Sequence, residues 1–133
     1  MKKLVTFCLI LLLLCGCTPM QNTDASKPVV VVSVTVTHQN GSVITRRHYT
    51  SSSKMRSVLD YLRWVKPYGT ADGNLLANTG DNYRIILSYS DGSEKWYRQI
   101  DDQYFLEEGK SWQMLDPEKA SVLGQIFTQM ESD

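Results

Sequence analysis

The side chains of this 133-residue chain that could support a reaction or a metal are two histidines, a serine run, two acidic pairs and an oxygen-rich loop. His38 and His48 are its only imidazoles. A shared metal or an acid–base couple needs both in one site. The hairpin described below instead sets His48 opposite Ser33, five ladder positions from His38. At ~3.3 Å per residue that is roughly 16 Å, with the two rings on opposite faces. Ser51-Ser52-Ser53-Lys54 imitates the Ser-x-x-Lys arrangement of a nucleophilic serine, and helix capping accounts for it better. Asp101-Asp102 and Glu107-Glu108 are adjacent carboxylates. Neighbours on a strand or turn point apart, whereas glycosidase chemistry wants two carboxyls opposed across a cleft of about 5 to 10 Å. Asp72-Gly73-Asn74, with Asn78, Asp81 and Asn82, offers oxygen ligands for a weak calcium site but not the spacing of an EF-hand loop. No catalytic residue, metal site or cofactor is therefore expected.

Aromatic residues are the remaining signal. Trp64, Tyr68, Trp96, Tyr97, Tyr104, Phe105 and Trp112 crowd into about fifty residues. Trp96 and Trp112 are expected on core faces. Trp64 lies off the apolar stripe of its helix, Tyr68 opens a long loop and Tyr97 is placed outside the sheet, so these three form the expected binding surface.

The elements that must position these groups begin after a leader. Lys2 and Lys3 precede an apolar run from Leu4 to Leu14, too short to span a bilayer, with a small residue before the expected cut. Leu14-Cys15-Gly16-Cys17 resembles the lipobox of small bacterial lipoproteins. That resemblance implies removal of residues 1–16, acylation of Cys17 and a domain facing outside the cytoplasm. Thr18 is not the aspartate associated with retention in the inner membrane, so an outer membrane is favoured in a two-membrane host. Residues 17–28 are polar and hold Pro19 and Pro28, the composition of a flexible tether. Of 14 Lys and Arg, Lys2 and Lys3 leave with the leader, so 12 face 14 Asp and Glu, a balance of −2. With no Lys/Arg run outside the leader, no nucleic-acid partner is expected. Cys8, Cys15 and Cys17 are the only cysteines. A disulfide, a thiolate metal site and a cysteine nucleophile are therefore excluded from the mature domain.

Residues 29–133 read as one α+β domain. Val29 to His38 and Val43 to Thr50 form a hairpin if Asn40-Gly41 is its two-residue turn. His38 then faces Val43, Val36 faces Thr45, Val34 faces Arg47 and Val32 faces Tyr49, giving one valine-rich buried face. Met55, Val58, Leu59, Leu62 and Val65 recur at helical spacing up to Pro67, predicting a helix over 53–65. A loop over 66–82 follows. Tyr83 to Tyr89 and Glu94 to Ile100 flank Asp91-Gly92, and a two-residue turn there sets Leu87 against Trp96, Ile85 against Arg98 and Tyr83 against Ile100. A third hairpin through Tyr104-Phe105-Leu106 and Trp112-Gln113-Met114 leaves open which side is core. Asp116-Pro117-Glu118 starts a C-terminal helix carrying Ala120, Leu123, Ile126, Phe127 and Met130. The order ββαββββα predicts an antiparallel sheet of about six strands with two helices on one face. Hairpins followed by helices are similar in architecture to PepSY and β-lactamase-inhibitor-like modules, which implies little about activity. The expected function is a non-catalytic, lipid-anchored binding module of the cell envelope, with an envelope protein, peptide or polymer as partner. A hydrolase of cell-wall or secreted substrate and a structural envelope-assembly protein are the alternatives.

Overall fold

In the computed structural model the described residues are 27–72 and 80–133. The leader, Cys17, most of the tether and residues 73–79 of the long loop lie outside them. The elements are β1 (Val31–Asn40), β2 (Val43–Tyr49), α1 (Ser52–Trp64), β3 (Asn82–Tyr89), β4 (Glu94–Ile100), β5 (Tyr104–Glu107) and β6 (Gln113–Met114). A C-terminal helix follows in two segments, α2 (Pro117–Ala120) and α3 (Val122–Gln129). The six strands form one antiparallel sheet in the order β2-β1-β3-β4-β5-β6, with the helices on one face. The class and element order are those expected.

The core lies between that face and the helices. Val34, Val36, Tyr49, Tyr83, Ile85, Leu87 and Phe105 meet Val58, Tyr61 and Val65 of the first helix with Ala120, Leu123 and Phe127 of the last. Leu115 joins them from the chain entering the C-terminal helix, and Leu106, paired with Arg98, is on the other side, so the third hairpin's core side is that of Phe105. Asp116 caps α2 by accepting from the backbone N–H of Glu118 (2.9 Å) and Lys119 (3.5 Å), with Pro117 at the first helical position.

The start of α1 is satisfied differently. Ser51 is its N-cap, but its hydroxyl makes no capping bond to the helix. Asp133 supplies the anion instead, accepting from the backbone N–H of Thr50 (2.6 Å) and Ser51 (2.7 Å) and pairing with Lys54 (2.9 Å). Those contacts hold its carboxyl below the usual carboxylate range, the Ser51 N–H contributing most. Glu131 pairs with Arg47, and the Tyr49 hydroxyl donates to the Met130 carbonyl, so the last residues are laced across β2.

The hairpin registers correct the expected ones. In β1–β2 the pairs are His38↔Thr45, Val36↔Arg47 and Val34↔Tyr49, two residues from the expected alignment. The turn is Gly41-Ser42 with Gly41 at φ 59°, as a type II′ turn requires at its first central position. A two-residue slip preserves the faces, and a bulge between Val31 and Ser33 leaves Val32 exposed rather than facing Tyr49. In β3–β4 the slip is one residue and reverses a face. The loop is three residues, Ser90-Asp91-Gly92, closed by the Tyr89 N–H to the Ser93 carbonyl at 2.9 Å. Gly92 sits at φ 85°, the left-handed residue that ends such a loop in a bulge. The pairs become Leu87↔Lys95, Ile86↔Trp96, Ile85↔Tyr97, Arg84↔Arg98 and Tyr83↔Gln99. Because side chains alternate with period two, Tyr97 and Gln99 turn to the helices, while Trp96 and Arg98 turn away.

Candidate functional site

The residues whose types could do chemistry are held in separate structural contacts. His38 is on the helix face, stacked on Tyr83 at 4.4 Å between ring centroids, edge-on to Phe127 and bonded through Nε2 to Asp81 Oδ1 at 3.1 Å. His48 is on the other face, with Nδ1 3.0 Å from the Thr35 hydroxyl. The corrected register puts three ladder positions between them rather than five, about 10 Å along the strands. Lys54 serves Asp133 and the Glu131 carbonyl, so the serine run and its lysine form the helix start. Glu107 binds Lys95 (2.6 Å) and Lys110 (2.8 Å), which hold it below the usual carboxylate range, Lys110 contributing most. Glu108 lies exposed in the turn beyond β5.

Asp101 and Asp102 occupy consecutive left-handed positions at φ 54° and 52°. The Asp101 carboxylate stands where a Cβ on Gly80 would go, so any larger residue there requires the Asp101 side chain to move. Asp102 accepts from Gln99 Nε2 at 3.0 Å, and burial pushes its carboxyl above the ordinary value. Of the suggested calcium ligands, Gly73, Asn74 and Asn78 lie outside the described residues. Among the described residues no cluster of three or more His, Cys, Asp or Glu is arranged to hold a metal.

The expected aromatic surface is divided. Trp64 is 47 % exposed at the rim of a shallow groove between the two helices, formed with Tyr61, Val122 and Ile126, and Lys119 stands 5.5 Å from its ring. Tyr68 is exposed but pairs through its backbone with Met114, extending the sheet beyond β6. Tyr97, expected outside, is half-buried on the helix face against Phe105, where burial raises its hydroxyl pKa. Trp96 and Trp112, expected in the core, stand on the opposite side under arginines.

That opposite face is uncovered by the helices and carries the most distinctive arrangement in the molecule. Arg46 on β2 pairs with Thr37 on β1, Thr37 with Arg84 on β3, and Arg84 with Arg98 on β4, so one row crosses four strands. Arg84 lies over Trp96, with its guanidinium carbon 6.0 Å from the ring centre, and Arg98 lies over Trp112 at 5.7 Å. At these distances each guanidinium makes a cation–π contact with its indole. None of the three arginines forms an ion pair among the described residues, although Arg84 and Arg98 are directly opposed like charges, a destabilising juxtaposition. Around the row is a hollow of ≈ 350 Å³ lined also by Gln39, Asn82, Ile44 and Ile86. Glu94, four residues from Arg98, is the acidic residue of β4 on this face.

Sequence reasoning missed this face because the one-residue slip at Gly92 had turned Arg98 inward. The available signal was the alternation of Arg46, Arg84 and Arg98 with buried positions, legible once the loop is counted as three residues. Fold and site together define an α+β module with an open, cationic sheet face. The chain matches no family model, no curated protein and no solved structure.

Proposed function

We propose that this chain is a non-catalytic binding module of the cell envelope, tethered by lipid on Cys17, whose open sheet face takes the partner. The observation that carries the reading is the row of three arginines with no ion pair among the described residues, two of them stacked on tryptophan. Opposed charges of one sign reduce stability, so their retention on a face that the helices leave uncovered favours an external counterpart. The tether rests on the lipobox-like Leu14-Cys15-Gly16-Cys17. At up to ~3.5 Å per residue, residues 17–28 reach about 40 Å from the bilayer, enough for the whole domain to turn toward a partner.

The test is photo-crosslinking in intact cells from the full-length chain. A reactive side chain replaces Thr35 on the open face in one variant and Gln125 on exposed α3 in another. The reading predicts a discrete adduct from position 35 and none from position 125. The reverse pattern, or measurable turnover of a cell-wall or secreted substrate by the purified domain, overturns it.

A further inference from the structure

We infer that the open face recognises an acidic peptide segment in extended conformation, its carboxylates lying along the Arg46–Arg84–Arg98 row. This deepens the proposed function and rests on it. Adjacent strands are about 4.8 Å apart, so the first and last arginines of the row, three strand steps apart, are separated by roughly 14 Å. An extended chain at ~3.4 Å per residue presents alternate side chains on one side every 7 Å or so, and three of them span roughly 14 Å. Alternate acids fall at about 0, 7 and 14 Å against arginines at about 0, 10 and 14 Å, a middle offset of about 3 Å that the long arginine side chain spans without bending the segment. A carboxylate between Arg84 and Arg98 also relieves their mutual repulsion. Each stacked guanidinium offers a planar fork of donors that matches a carboxylate bidentately.

Other features of the face favour a peptide over a phosphate polymer. Ile44, 63 % exposed, and Ile86 flank the row and offer apolar contact to the methylene groups of the acids and the Cα–H surface of the segment between them. A polyphosphate has nothing to place there. Thr37, Gln39 and Asn82 supply hydroxyl and amide groups that match the donors and acceptors of a peptide backbone. The mature balance of −2 means the domain as a whole does not attract a long polyanion, so the cationic character is local.

The test titrates the full-length chain in detergent with an acetylated and amidated peptide alternating aspartate and isoleucine over five residues. Inorganic polyphosphate of equal charge is the second probe. The inference predicts saturable peptide binding that weakens with salt. It predicts a loss of roughly a hundredfold or more in Arg84→Gln/Arg98→Gln, the scale of two charge-assisted hydrogen bonds. No such loss is expected in the control Arg56→Gln/Arg63→Gln on α1. The melting temperature of Arg84→Gln/Arg98→Gln should stay close to that of the parent, because the removed repulsion offsets the two lost cation–π contacts, and a matching melt shows that lost binding is not lost folding. Three results overturn the inference: no peptide binding, binding indifferent to Arg84 and Arg98, or polyphosphate binding tighter than peptide. Crosslinking from position 35 that survives in Arg84→Gln/Arg98→Gln refutes the acidic-peptide inference and leaves the open-face reading standing. Its absence from the parent chain refutes both.

Discussion

Tyr61→Phe tests the register on which the open face depends. In the observed register Gln99 points to the helices, where it is 1 % exposed and the one buried residue with an amide or charged side chain among the described residues. The Tyr61 hydroxyl donates to its Oε1, while its Nε2 donates to the Ala120 carbonyl at 2.9 Å and to Asp102 at 3.0 Å. One amide thus ties α1, the end of α2 and the β4–β5 turn together. Burial raises the Tyr61 hydroxyl pKa well above its ordinary value, so it remains a neutral donor at any working pH. Removing that hydroxyl leaves Gln99 Oε1 buried without its donor, a loss of about 1–3 kcal/mol. In a domain of this size each kcal/mol moves the melting temperature by about 4–8 °C, so the expected drop is roughly 5 to 20 °C. Calorimetry or circular-dichroism melts measure it. In a cycle with Gln99→Leu, the double variant should lose less than the two singles combined, because both ends of one bond are gone. A Tyr61→Phe protein within ~0.5 kcal/mol of the parent, the range of ordinary surface substitutions, refutes the reasoning. It would mean that Gln99 faces solvent and that Arg98 does not share the open face with Arg84.

Two further predictions concern pH. Asp133 has a folded-state pKa below its unfolded value, so its contribution is present above the ordinary aspartate range of about 4 and is lost as pH falls through the folded value. Melts of the parent should therefore drop below about pH 4, and Asp133→Asn should start lower at neutral pH and show a shallower acid slope; parallel slopes would contradict the clasp at the start of α1. Asp102 has the opposite sign: burial raises its pKa, so its contribution is present below the unfolded value and lost as pH rises through the folded one. Asp102→Asn keeps an acceptor for Gln99 Nε2 and suits the left-handed backbone at φ 52°. It should melt higher than the parent at pH 7, with the advantage vanishing toward pH 3; an equal gain at both values would contradict the burial of that carboxyl.

The helices, their stripes and the class of fold were legible because they rest on local chemistry. Asp116-Pro117 caps and starts a helix through its own neighbours, and the spacing of Val58 and Val65 is a property of a single segment. What was not legible depends on partners far along the chain or on a single backbone angle. Ser51 reads as a self-sufficient cap, yet Asp133, 82 residues away, supplies the acceptor. Asp91-Gly92 reads equally as a two-residue turn or as the end of a three-residue loop, and only the closure of Tyr89 on Ser93 chooses between them. That choice exchanged Trp96 and Arg98 for Tyr97 and Gln99 across the sheet and moved the candidate site from Trp64, Tyr68 and Tyr97 to the arginine row. At Gly41 the same kind of misjudgement shifted the register by two and cost nothing in facing, which is why the valine core was anticipated from Val34 onward.

The most direct test of the account watches the guanidinium Nε–Hε resonances of the isotope-labelled domain by NMR while the alternating acidic peptide is added. The account predicts that Arg46, Arg84 and Arg98 shift together and saturate at one peptide per domain, while Arg56 and Arg63 on α1 stay in place. Shifts confined to Arg56 and Arg63, or equal small shifts of all arginines without saturation, would contradict a binding site on the open face of the sheet.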